Sequence, residues 1–123
     1  MTNDNGKTTW IFPDLEMPPK GDSALIGHES VIILNTNGAD ATVTITLYFS
    51  DREPIENIRC TVPARRVKCL RTYNPDDFGG VVIEPETQYA MRLQSDIPVV
   101  AQYGRLDTRQ PNMAFYTVMG FSN

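Results

Sequence analysis

Histidine and tryptophan occur once each and cysteine twice in the 123 residues, and each scarcity removes a class of chemistry. His28 alone cannot complete a zinc site of the usual Cys/His kind, and there is no CxxC. A GxSxG elbow and a glycine-rich phosphate loop are both missing, so the histidine has no triad partners to act with and the chain is not expected to be an enzyme. No apolar run approaches the ~20 residues that cross a bilayer. The polar start Met1-Thr2-Asn3-Asp4-Asn5-Gly6-Lys7 does not read as a signal peptide, so the expected compartment is the cytoplasm. Cations are outnumbered, 11 Lys and Arg against 15 Asp and Glu, and the net charge of -4 argues against general affinity for nucleic acid or anionic membrane. No stretch offers a convincing amphipathic helix, and no internal repeat is visible.

What is present is alternation with a period of two. In Ala41 to Phe49, Val43, Ile45, Leu47 and Phe49 fall on one face and Thr42, Thr44, Thr46 and Tyr48 on the other. Residues that are nearly all β-branched or aromatic in that order make a strand with one face on a core. About eight such segments recur. Thr8 to Phe12 is a short first strand closed by Pro13, and Asp14 to Gly27 is a loop. His28 to Asn35 carries an apolar run, Val31 to Leu34, expected to be buried on both faces. Asn37-Gly38 should join it to the next strand as a hairpin. Ile58 to Val62, Val67 to Arg71, Val81 to Ile83, Tyr89 to Leu93, Ile97 to Leu106 and Ala114 to Phe121 follow. The expected fold is all-β, an antiparallel sandwich of jelly-roll type, with residues 1–123 as a single domain. Cys60 and Cys69 flank a turn that would place them opposite each other. A disulfide there is geometrically conceivable, and in a reducing cytosol two buried thiols are expected instead.

Polar residues gather at strand ends. His28-Glu29 stands at an entry, Ser50-Asp51-Arg52-Glu53-Pro54 at an exit, and Gln102 with Arg105 to Gln110 at another. Trp10, His28, Glu29, Asp51, Arg105, Asp107 and Arg109 are expected to converge on one rim as a pocket for a small polar, sugar-like ligand. Carboxylates would accept from hydroxyls, arginines would donate, and an aromatic face would cover the apolar side. The same residues could equally be a solvated surface or an ion-paired network that fixes the turns. His28, Glu29, Asp51 and Glu53 follow no metal-ligand spacing, so no metal site and no cofactor are expected. Asp51 and Asp107 could do acid/base work only if close together. The one basic concentration, Arg65, Arg66, Lys68 and Arg71, supports a nucleic-acid-binding regulator as the alternative reading, although it lacks interleaved stacking aromatics, and ion pairs with Asp and Glu of a neighbouring strand or subunit are the favoured role for these cations.

Taken together, Trp10, His28-Glu29-Ser30-Val31, Tyr48 to Pro54, Thr61 to Arg66, Gln94 to Val100 and Arg105 to Gln110 make an ordered set. In it the chain resembles the Anabaena sensory rhodopsin transducer family over nearly its whole length. The resemblance implies a soluble cytoplasmic β-sandwich that assembles as a homotetramer. It also implies partnership with a membrane photoreceptor or another signalling protein, and for some members a sugar-related ligand. The family's motif residues fall here on Trp10, His28, Glu29, Ser50, Asp51, Arg66, Arg105, Asp107, Arg109 and Gln110.

Overall fold

A computed structural model describes residues 5–21, 25–108 and 114–123. Eight strands follow in order: β1 (Lys7–Glu16), β2 (His28–Asn35), β3 (Ala41–Phe49), β4 (Ile55–Val62), β5 (Arg66–Arg71), β6 (Gln88–Asp107), β7 (Ala114–Val118) and β8 (Phe121–Ser122). The expected all-β antiparallel sandwich is what the chain forms. One sheet runs β4-β3-β6-β1-β8, and in the other β2 lies between β5 and β6 while β7 pairs with the far side of β6.

The strand that organises both sheets is β6. Its first half pairs with β3 and β1, from Phe49↔Tyr89 to Val43↔Ser95 and from Glu16↔Gln88 to Thr9↔Gln94. Its second half pairs with β2 and β7, from Leu34↔Val100 to His28↔Leu106 and from Tyr103↔Val118 to Asp107↔Ala114. The sequence suggested two strands meeting at Ser95-Asp96. Instead one 20-residue strand changes sheets there. Asp96 Oδ1 accepts from the Thr42 backbone N–H at 2.8 Å, and Trp10 Nε1 donates to the Val99 carbonyl at 3.0 Å, so side chains satisfy the backbone where the ladders part.

Inward-facing residues form one hydrophobic cluster in which Val31, Ile33, Val43, Ile45, Leu47, Met91 and Ala101 are wholly buried. Burying one such side chain stabilises the fold by roughly 1.5–3 kcal/mol. On β2 only alternate residues are inside. Leu34 is 40% exposed and Ile32 half-buried, so the run Val31 to Leu34 is one-sided rather than buried on both faces. The first strand continues through Pro13 to Glu16. Pro13 falls where the register with β6 shifts between Phe12 and Leu15, and a bulge tolerates a residue without an N–H. The bulge also switches the buried set from Trp10 and Phe12 to Leu15 and Met17.

Asn37-Gly38 does not close a hairpin. β2 pairs with β5 and β6 while β3 pairs with β4 and β6, so this turn crosses from one sheet to the other. Val81 to Ile83 is not a strand. Cys60 and Cys69 are both free, Cys60 half-buried and Cys69 exposed, because β5 pairs with β2 and presents Cys69 opposite Ile32 on an outer face. Burial pushes the Cys60 thiol above its ordinary pKa.

Candidate functional site

The inner face of β2 begins with a carboxylate. Glu29 precedes Val31 and Ile33 in the same parity and is 0% exposed. A buried carboxylate is costly unless its oxygens are hydrogen-bonded, and here each is. Tyr89, from the first half of β6, donates to Oε1 at 2.7 Å, and Tyr103, from the second half, donates to Oε2 at 2.5 Å. The Glu16 backbone N–H reaches Oε2 at 3.1 Å. Three strands of both sheets are thus tied to one side chain. Burial raises the Glu29 pKa, and the two phenols, the Glu16 N–H and nearby Arg105 counter it only in part. Burial, followed by the charge on Glu29, holds both phenols above their ordinary pKa.

Arg105 and Asp107 continue the buried face of β6 beyond Tyr103 and close this end of the sandwich. Arg105 Nε donates to the Glu16 carbonyl at 3.1 Å, and its Nη1 meets Asp107 Oδ2 at 3.4 Å. Their side chains are only 15% and 12% exposed. Residues 17–21 and 25–27 meet the end of β6 beside them, at Leu106 and Thr108. Thr108 Oγ1 donates to the Lys20 carbonyl at 2.9 Å, and Gly27 N–H to the same oxygen at 3.0 Å. A Cβ on Gly21 would lie 2.3 Å from Thr108 Oγ1, so glycine is what lets the loop close over the strand end.

His28 is half-buried on the opposite face of β2. Its Nδ1 lies 2.7 Å from the Ile26 carbonyl and its ring stands edge-on to Tyr73 at 5.5 Å. Ser50 and Asp51 follow β3 at the same end of the sandwich. Asp51 does not join Arg105: it pairs with Arg52 at 3.1 Å, both side chains largely exposed, and Arg52 lies over Phe49 at 4.5 Å. Beside Ser50 a hollow of about 270 Å³ is lined by Pro13, Tyr48, Phe49, Gln88 and Tyr89, and Tyr89 is the phenol whose hydroxyl holds Glu29.

The structure therefore brings His28, Glu29, Ser50, Asp51, Arg105 and Asp107 to one end, but only Arg105 and Asp107 share the inner side with the buried Glu29, while His28 lies across β2 and Asp51 faces solvent. It places Trp10 and Arg66 elsewhere. Trp10 is 5% exposed, opposite Leu93, with its Nε1 on Val99, roughly 20 Å along β1 from Glu16 at strand rise. Its indole fills the core instead of covering a ligand. Arg66 pairs with Asn35 at the far end of β2. Arg109 and Gln110 lie outside the described residues. No metal-holding cluster of His, Cys, Asp or Glu occurs among the described residues, and no helix there is long and apolar enough to cross a membrane. Tyr103, a candidate ring for the rim, is instead buried with its hydroxyl on Glu29; Tyr89 is new to the site, and its signal in the sequence is parity, since both lie on the buried odd-numbered face of β6.

The architecture is a two-sheet antiparallel β module with a buried acid and an arginine–aspartate pair at one end. The chain belongs to the family described as Anabaena sensory rhodopsin transducer, which it matches over residues 5–122. The Anabaena sensory rhodopsin transducer itself is 39% identical, with a TM-score of 0.70 over 84% of this chain and 99% of that one. A Thermotoga maritima protein designated 1070 is 28% identical and superposes with a TM-score of 0.84 over 97% of both chains. No curated protein sequence matches the chain.

Proposed function

We propose that this protein is a cytoplasmic, non-catalytic signalling module that senses a small polar, sugar-like ligand at the Glu29 end of the sandwich. It passes the state of that site to a membrane photoreceptor or another signalling protein. Family membership supports the transducer half of the reading. The observation that carries the ligand half is the Arg105–Asp107 pair, mostly buried yet at a distance of 3.4 Å that a bridging hydroxyl can improve. A neutral polyol suits it, because the pair already balances its own charge and offers one donor and one acceptor. Ser50 and Gln88 line a different hollow at this end, about 270 Å³ and close to the lower end of small-ligand pockets, whose lining does not include the Arg105–Asp107 pair. Glu29, sealed as it is, positions Tyr89 and Tyr103 and does not touch the ligand.

A thermal-shift screen of neutral sugars and polyols tests this. A true ligand at about 100 times its Kd stabilises the protein by roughly 2.7 kcal/mol, and Arg105→Ala and Asp107→Asn should lose that shift while remaining folded. Variants that keep the full shift would remove the site from this end.

Assembly as a homotetramer is part of the proposal. Its support is the apolar outer surface, where Leu34 and Val67 are 40% and 64% exposed and Phe115 and Phe121 are 70% and 64% exposed. Monomer mass in light scattering at micromolar concentration would overturn it. Nucleic-acid binding stands as a second reading on one observation. Arg65, Arg66, Lys68 and Arg71 form no ion pair among the described residues, whose pairs are Arg52–Asp51 and Arg105–Asp107. The alternative, pairing with Asp and Glu of a neighbouring strand or subunit, finds no partner on a neighbouring strand among the described residues. Binding through these cations should weaken steeply as salt rises.

A further inference from the structure

On the side where β1 of one sheet faces β7 of the other there is a groove of about 300 Å³, lined among others by Phe12, Asp14, Tyr103, Tyr116, Val118 and Met119. It adjoins the Arg105–Asp107 pair, because Arg105 stands opposite Tyr116 in the β6–β7 ladder, but Arg105 is not among its lining residues. Three rings shape it. Phe12 and Tyr103 have centroids 6.3 Å apart at 45°, and Tyr103 and Tyr116 are 6.3 Å apart at 64°, so the rings form angled walls and not a stack. Phe12 and Tyr103 are nearly wholly buried and make the floor, whereas Tyr116 is 47% exposed and makes a wall. Gly120 keeps the opposite wall close, because a Cβ there would lie 2.9 Å from the Phe12 ring and 2.2 Å from the Ile11 carbonyl.

The polarity of the groove is set from behind. Glu29 Oε2 takes both the Glu16 N–H and the Tyr103 hydroxyl, so Tyr103 spends its proton on the acid. Tyr103 and Tyr116 meet ring edge to ring face, with the Tyr103 hydroxyl turned away to Glu29. Tyr116 offers the groove its half-exposed ring and a phenolic oxygen able to accept. Asp14, held by Gln88 Nε2 at 3.1 Å, adds a carboxylate at the rim. No lysine, arginine or other side-chain N–H donor is among the lining residues. Aromatic faces, acceptors and a negative charge disfavour an anion, and leave an uncharged apolar guest without use for the acceptors.

We propose that this groove binds a small organic cation, an alkylammonium or methylated amine, with its charge among the Tyr116 ring, the Tyr116 oxygen and the Asp14 carboxylate, and its alkyl groups on Val118 and Met119. The ligand class differs from that of the Arg105 end, but both sites rest on Glu29, one through Tyr103 and the other through Tyr89.

Calorimetric titration of the full chain with choline, with its uncharged carbon isostere 3,3-dimethylbutan-1-ol and with acetate tests the assignment. Choline should saturate at millimolar concentration, the isostere should bind about tenfold more weakly, and acetate should give no binding heat. Asp14→Asn and Tyr116→Leu, both on exposed side chains that leave the core intact, should each weaken choline several-fold. Arg59→Ala, exposed on β4, should leave it unchanged. Absence of choline saturation, equal binding of the isostere, or an affinity indifferent to both Asp14→Asn and Tyr116→Leu would each overturn the proposal.

Discussion

The two ends of β2 solve the same problem with different chemistry. At one end the inward residue is Glu29 and at the other it is Asn35, each 0% exposed. Asn35 Nδ2 donates to the Ala39, Val62 and Pro63 carbonyls at 2.9, 3.0 and 3.3 Å, and its Oδ1 accepts from Asn37 N–H and Nδ2, each at 2.9 Å. Asn37 Nδ2 passes on to the Pro98 carbonyl at 2.7 Å. That network is neutral and serves only backbone and turn. Glu29 instead gathers the ends of other side chains, and its proton affinity depends on what surrounds it. A buried amide closes a sandwich; a buried acid closes it and remains able to respond.

Removing each hub measures the difference. Glu29→Ala strands two buried phenols, each costing roughly 1–3 kcal/mol, so a loss of roughly 2–6 kcal/mol is expected in urea denaturation. Asn35→Ala leaves carbonyls that are easier to resatisfy, and roughly 1–3 kcal/mol is expected. A larger loss at Asn35 than at Glu29 would reverse the ranking of the two ends.

The responsive end should also carry a pH dependence that the other lacks. Folded Glu29 holds its proton more tightly than the unfolded chain, where the ordinary value is 4.5. The stability it contributes is therefore fully present below pH 4.5 and is lost as pH rises through the raised folded value, with no further change above it. Glu29→Gln keeps an acceptor for Tyr103 and cannot ionise. The difference in unfolding free energy between wild type and Glu29→Gln should shift in favour of the variant across that window and then level off. A flat difference would mean that Glu29 keeps its ordinary proton affinity in the fold.

The smallest effect is expected at the edge of the same end. Asp51 and Arg52 pair with side chains 71% and 45% exposed, and such pairs contribute roughly 0–1 kcal/mol. Asp51→Asn should fall within that range, and a loss as large as that of Glu29→Ala would place Asp51 inside the buried network.

Much of the fold is legible in alternation. Val43, Ile45 and Leu47, and Tyr89, Met91 and Leu93, point inward as the sequence implies. Reading Val31 to Leu34 as buried on both faces hid the parity that puts Glu29 and Asn35 on the inner face with Val31 and Ile33. Reading β6 as two strands hid the continuation from Tyr103 to Arg105 and Asp107 in the same way. Trp10 misleads for another reason: its indole N–H finds the Val99 carbonyl, a partner 89 residues away that periodicity cannot supply. The clustering of polar residues at strand ends was visible, but which end each strand delivers them to depends on pairings such as His28↔Leu106 and Asn35↔Arg66, and those are not local.

The shared strand has a consequence for how the chain is made. β1, β2 and β3 all leave the ribosome before β6, yet each has its ladder on β6, and Lys7 waits for Val99. Until that strand has been synthesised only the β3–β4 and β2–β5 pairs can close, and neither has the central strand that completes its sheet. Both sheets must then assemble together in a late step, one in which closing long loops sets the rate. During that interval Val31, Ile33, Val43 and Ile45 remain open to other nascent chains, and the acid at Glu29 is still in water.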